Sequence, residues 1–253
     1  MKKTKIEWTE QTWNPSAGCT KVSAGCKNCY AETMANRLKA MNVEGYENGF
    51  QFNIVLSRLN DPFKRKKPTI FFVNSMSDIF HEKMSNEYLD KIFNVIENTP
   101  QHTYQILTKR AERMFDYLSK RAIPKNIWLG VTVENKKEGL PRIDKLRNLN
   151  ATVLFLSIEP LLEDLEKINL ENIDWVIVGG ESGNRARPMD EKWVLNIKKQ
   201  CEVNDIAFFF KQWGTWGADK VKRNKKENGK ILIGKIWHEY PEIIEQQYTT
   251  ASS

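Results

Sequence analysis

The chain has 253 residues, 40% of them hydrophobic, including 8 Trp, 7 Tyr and 12 Phe. That is enough for a substantial core, with one large domain the default and two small ones the alternative. The formal charge of +7 and an isoelectric point near 9.1 favour a polyanionic partner, nucleic acid before an acidic protein or a membrane.

No apolar run reaches the roughly 18 residues that a membrane-spanning helix needs. The basic start Met1-Lys2-Lys3-Thr4-Lys5 leads into Ile6-Glu7-Trp8-Thr9, which is no signal-peptide core. The expectation is a cytoplasmic protein with no membrane partner. In that reducing compartment disulfides are rare, and three of the four cysteines fall within eleven residues. Such clustering reads as metal binding before it reads as crosslinking.

In chain order, Thr12-Trp13-Asn14-Pro15 reads as the end of a first strand, and Asn28–Met41 has helical character. Between them lies Gly18-Cys19-Thr20-Lys21-Val22-Ser23-Ala24-Gly25-Cys26-Lys27-Asn28-Cys29-Tyr30, with the spacing C-x6-C-x2-C. Gly18 and Gly25 supply the freedom to wrap three thiolates around one centre. Four local ligands would suggest a closed zinc or ferredoxin-type site, whereas three leave a coordination position open. Cys201 is an alternative fourth ligand, but it falls late on a helical segment. No histidine is near in sequence, though His81 follows a strand end and can fold back. Phe52–Leu56 reads as a further strand or part of an excursion, and Lys64-Arg65-Lys66-Lys67 as an exposed basic loop.

From residue 69 the pattern is regular. Apolar runs recur at Thr69–Asn74, Thr103–Leu107, Ile127–Val131, Thr152–Leu156, Trp175–Val178 and Ile206–Phe210. They are too apolar for half-exposed strands and fit a parallel sheet covered on both faces. Amphipathic segments separate them, near Asn86–Asn98, Arg110–Lys120, Lys136–Leu149 and Glu191–Glu202. The fold class is therefore α/β. An open doubly wound sheet and a (β/α) barrel, complete or partial, both satisfy this alternation. Successive strand ends carry Ser75 and Asp78, Lys109, Glu134, Glu159, Glu181 and Lys211, and that recurrence favours the functional rim of a barrel. The barrel is expected over 1–216, followed by a basic appendage over 217–253.

Trp13-Asn14-Pro15, followed by Gly18-Cys19-Thr20-Lys21-Val22-Ser23 and Gly25-Cys26-Lys27-Asn28-Cys29-Tyr30-Ala31-Glu32, closely resembles a phage and prophage family of largely unknown function with a three-cysteine motif. That family in turn resembles the radical S-adenosylmethionine (SAM) superfamily. The resemblance runs to about Trp213. It implies that Cys19, Cys26 and Cys29 hold a [4Fe–4S] cluster and that SAM completes its open site. Two departures stand out: the usual first interval is x3 rather than x6, and Asn28 replaces the aromatic residue before the last cysteine. The superfamily's Gly-Gly-Glu motif, which receives the SAM amino group, follows the second strand. Gly179-Gly180-Glu181 here follows a late one, so Ser75 and Asp78 are the better candidates for that role.

The resemblance implies an enzyme that cleaves SAM reductively with an external electron donor. Lys109, Glu134, Glu159, Glu181 and Lys211 are candidates for holding SAM or substrate, with a barrel-mouth salt bridge the competing reading of each taken alone. Charge and tryptophan content suggest a nucleobase or nucleotide in DNA or RNA, with the Lys220–Lys230 tail on phosphates and Trp213 and Trp216 either stacking on bases or packing in an ordinary barrel rim. Two alternatives stay open. One is a nucleic-acid-binding or regulatory protein whose cluster is structural or redox-sensing, and the other is a zinc protein.

Overall fold

The computed structural model describes residues 4–242. The element order is β1 (Gln11–Trp13), β2 (Ser16–Ala17), α1 (Tyr30–Ala40), β3 (Asn53–Ile54), β4 (Ile70–Val73), α2 (Asn86–Glu97), β5 (Thr103–Thr108), α3 (Ala111–Leu118), β6 (Ile127–Thr132), α4 (Lys136–Leu146), β7 (Val153–Ile158), β8 (Trp175–Gly179), α5 (Glu191–Val203), β9 (Ala207–Gln212), α6 (Lys225–Asn228), β10 (Ile231–Leu232) and β11 (Lys235–Ile236). Seven strands form one sheet in the order β1-β4-β5-β6-β7-β8-β9. That order follows the chain without a reversal, as in a (β/α) barrel and unlike a doubly wound sheet. Among the described residues no pairing returns from β9 to β1, so the barrel is partial. No helix among the described residues is long and apolar enough to cross a membrane.

The expected helices are present, with α2, α3 and α4 one to three residues shorter than expected and α5 one residue longer. Ser85, Asn135 and Asp190 cap α2, α4 and α5, their side chains accepting backbone N–H bonds from Tyr88, Glu138 and Lys192. Between β7 and β8 the chain crosses without a helix. Pro160 opens that stretch, and Leu161, Leu165, Ile168, Leu170 and Ile173 are buried along it, so scattered apolar anchors replace a helical face.

The chain divides into two compact units, Met1–Val131 with Asn148–Thr152, and Thr132–Arg147 with Val153–Ser253. In the first, α2 buries Tyr88, Leu89, Ile92, Phe93, Val95 and Ile96. At about 2 kcal/mol per fully buried side chain, this face holds a helix too short to persist alone. Tyr104 stacks on Phe71 (centroids 5.6 Å apart) and meets Trp13 edge-on (5.5 Å). A separate small core, Ala17, Ala35, Tyr46 and Val55, lies between α1 and the β2–β3 ribbon.

In the second unit, β7, β8 and β9 pair in parallel register. The chain after β11 turns back along the open edge of β9: Phe210 N–H bonds to Trp237 O (2.8 Å) and Glu239 N–H to Phe208 O (3.1 Å). Trp175 Nε1 donates to Glu239 O (2.9 Å), and His238 stacks on Phe209. The C-terminal segment thus satisfies an edge that would otherwise stay unpaired.

Candidate metal and cofactor site

The cysteine loop leaves the sheet at the C-terminal end of β1. Gly18, at φ +74°, has no room for a side chain, because a Cβ there would lie 2.1 Å from Gln51 O. Its N–H bonds to Met76 O (3.1 Å), and Cys19 N–H bonds to Phe50 O (3.0 Å). These bonds fix the loop's base against the segment after β4 and the residues just before β3. Gly25 lies in a 3-10 turn over Ala24–Cys26 and is not among the positive-φ glycines. Cys29 is the N-cap of α1. Tyr30 then exposes its ring while its hydroxyl donates to Ser75 O (2.5 Å).

All three loop thiols are free and half-buried. Cys19 Sγ lies 3.4 Å from Thr20 O, and burial, then the nearby Asp78 carboxylate, pushes its pKa up to about 11. Cys26 Sγ lies 3.7 Å from Ser23 Oγ. Among the described residues, no three His, Cys, Asp or Glu side chains already gather about one point. The donor set is nonetheless all sulfur on one short loop, the chemistry that iron–sulfur clusters take. A [4Fe–4S] cluster fits these residues by donor type. Cys201 sits fully buried on α5 in the second unit, a core side chain.

Four polar residues close around Cys19. Arg110 Nε donates to Glu82 Oε2 (2.9 Å), and Nη1 to Asp78 Oδ2 (3.1 Å) and to Cys19 Sγ (3.4 Å). Its Nη2 donates to Thr20 O (3.2 Å) and Oγ1 (2.9 Å). Asp78, buried, is also saturated. Its Oδ1 accepts from Phe80 N–H (3.0 Å) and Thr108 Oγ1 (2.7 Å), and its Oδ2 also accepts from Lys109 N–H (3.1 Å). Ser75 Oγ donates to Asn14 Oδ1 (3.2 Å), and Lys109, directly after β5, is half-buried.

His81 does fold back on the loop. Lys83 N–H donates to Nδ1 (3.1 Å), so Nε2 carries the proton and donates to Thr20 Oγ1 (3.2 Å). The ring is fully buried and stacked on Phe52 (4.2 Å). Burial first, then Arg110, lowers its pKa from 6.5 to about 4. The unfolded chain therefore binds this proton first, so the stability His81 contributes is complete above pH 6.5 and is lost as pH falls towards 4. The loss is at most about 3 kcal/mol. Urea midpoints of cluster-free protein at pH 7 and 4.5 should differ by more in the wild type than in His81→Gln. Equal differences would show that His81 contributes nothing to the acid limb.

In the second unit the three predicted carboxylates each meet a cation. Glu134 is fully buried, its Oε2 2.5 Å from Arg142 Nη1, which also donates to Thr132 O (2.7 Å). Glu181 accepts from Arg187 Nε (2.9 Å), Nη2 (2.6 Å) and backbone N–H (2.8 Å). Glu159 pairs with Lys211 (3.0 Å) and accepts from Ser157 Oγ (3.3 Å). The two glycines before Glu181 are there for close approach: a Cβ on Gly180 would lie 1.8 Å from Trp213 O. Of the two readings of Trp213, packing holds: it is a buried residue whose Nε1 donates to Ile231 O (2.9 Å), because β10 closes over it. Trp216 is half-buried, with Lys222 Nζ 5.9 Å above its ring.

Sequence reasoning missed Arg110, Glu82 and Thr20, and the arginine partners of Glu134 and Glu181. The only available signal was a charged residue following Lys109 at a strand end.

No curated protein matches the sequence. Among solved structures, it is similar to spore photoproduct lyase complexed with dinucleoside spore photoproduct, at 14% identity and a TM-score of 0.49, covering 79% of this chain and 62% of that one. A mutant of the same lyase with bound AdoMet and dinucleoside spore photoproduct gives 14% identity and a TM-score of 0.46, covering 70% and 57%. The chain thus spans about three-fifths of the length of these structures. Residues 3–241 match the family described as Protein of unknown function (DUF5131), and the chain belongs to that family.

Proposed function

We propose that this protein is an iron–sulfur enzyme of the radical SAM type, acting on a nucleobase or nucleotide of DNA or RNA with electrons from an external donor. The observation that carries the reading is the loop of three free, half-buried thiols at the C-terminal end of β1, tied by hydrogen bonds to the segments that follow β4 and β5. When bound, a [4Fe–4S] cluster with SAM at its open iron supplies one electron for reductive cleavage of the sulfonium.

The chain's own residues hold and orient. Cys19, Cys26 and Cys29 are the proposed ligands. Asp78, its acceptor positions filled, holds Arg110 and the Lys109 backbone rather than meeting a cofactor directly. Ser75 and the Lys109 ammonium are left to bind SAM or substrate. Of the three carboxylates, the Glu159 side chain is 15% exposed, against 0% for Glu134 and 6% for Glu181. Glu159 is therefore the one of the three freest to exchange its lysine partner for a ligand hydroxyl, while Glu134 and Glu181 hold their arginines.

Anaerobically reconstituted protein should change its paramagnetic resonance spectrum on adding SAM, and should yield 5′-deoxyadenosine under strong reduction. The assay is run with and without a single-stranded oligonucleotide. A loaded cluster that ignores SAM would move the protein to the binding or regulatory class. Stoichiometric zinc without sulfide would remove the iron–sulfur reading altogether.

A further inference from the structure

We infer that Arg110 is a positioning residue that fixes Cys19 and sets the reduction potential of the cluster the loop holds. The second half of this statement rests on the function proposed above. The first half does not.

The geometry is unusually complete. A guanidinium has five N–H donors in a rigid fork. At Arg110 each has an acceptor: Glu82 Oε2, Asp78 Oδ2, Cys19 Sγ, Thr20 O and Thr20 Oγ1. The side chain is only 10% exposed. Its acceptors come from separate segments, the cysteine loop and the turn after β4, while its own backbone N–H is held by Thr108 Oγ1 at the end of β5 (2.8 Å). One side chain therefore ties the first cysteine to two strand ends. Thr20 completes the lock, since its Oγ1 donates to Glu82 Oε1 (2.5 Å) and accepts from both Arg110 and His81.

Charge points the same way. Asp78 and Arg110 are the charged side chains with the largest effect on Cys19. Arg110 is the positive one of the two, and it donates to both the sulfur and Asp78. A thiolate-ligated cluster gains negative charge on reduction, and a buried cation donating to a ligand sulfur stabilises that reduced form. Without Arg110, the buried Asp78 carboxylate faces the same sulfur uncompensated. The reduced cluster then becomes harder to form.

The test compares wild type, Arg110→Gln and Arg110→Lys, with folding checked by circular dichroism. In cluster-free protein, hydrogen–deuterium exchange read by peptide mass spectrometry should show the backbone amides of the 18–21 segment exchanging severalfold faster in Arg110→Gln, with those of α1 unchanged. In reconstituted protein, a dithionite titration followed by paramagnetic resonance should place the midpoint potential of Arg110→Gln below that of wild type. Arg110→Lys, which keeps the charge but not the fork, should recover the potential in part while leaving the 18–21 segment fast to exchange. If Arg110→Gln does not fold, the lysine variant carries both measurements. Unchanged exchange and an unchanged potential would overturn the inference. Faster exchange in a protein that forms no cluster even as wild type would keep the positioning role and sink the cluster reading instead.

Discussion

Replacing any one of Cys19, Cys26 or Cys29 by alanine is expected to reduce bound iron and acid-labile sulfide to near background, whereas Cys201→Ala leaves both unchanged. A cluster held by three thiolates has no spare protein ligand, so losing one opens a second iron to solvent and the cluster falls apart. Cys201 cannot substitute. It is completely buried on α5, and burial pushes its thiol pKa up to about 12, so it behaves as a small apolar side chain. Iron and sulfide analysis with the 400 nm absorbance of each variant decides the matter. Retention of a full cluster in any of the three loop variants, or its loss in Cys201→Ala with the fold intact, would refute the assignment.

Arg142→Met is expected to destabilise the protein by about 3–5 kcal/mol, the range for removing one partner of a buried ion pair. For a chain of this size that is roughly 10 °C of melting temperature. Glu134 is fully buried and Arg142 nearly so. Methionine fills the volume but withdraws the Arg142 donor from the buried carboxylate and from the Thr132 carbonyl. Lys211→Met removes the partner of Glu159, where both side chains reach solvent, and should cost about 1 kcal/mol or less. Chemical denaturation of the two variants side by side checks the contrast. Equal, small losses would mean that Glu134 is protonated or solvated in the folded chain and that its pairing contributes little.

Much of the scaffold was legible in residues 69–212, because strands covered on both faces must be apolar along their whole length and the helices between them must be amphipathic. Thr103–Leu107 and Ile127–Val131 were read almost to the residue for that reason. The crossover from Ile158 to Trp175 was less readable, since its buried leucines and isoleucines follow no helical or strand period. The same holds for residues 14–68, where β2 and β3 are two residues each and gain their meaning only from a small core that includes Tyr46.

The sequence by itself determined the α/β class, the approximate positions of the seven sheet strands and the three thiols on one loop. Periodicity and spacing are local properties, and a local reading suffices for them. Tertiary structure alone decided that the strands run in barrel order, that Trp213 is core rather than a stacking platform, and that Arg110 meets Cys19 across 91 positions of chain. Those outcomes depend on which distant groups share a buried volume. A buried guanidinium must find an acceptor for every donor wherever along the chain it lies, and no local pattern records that demand.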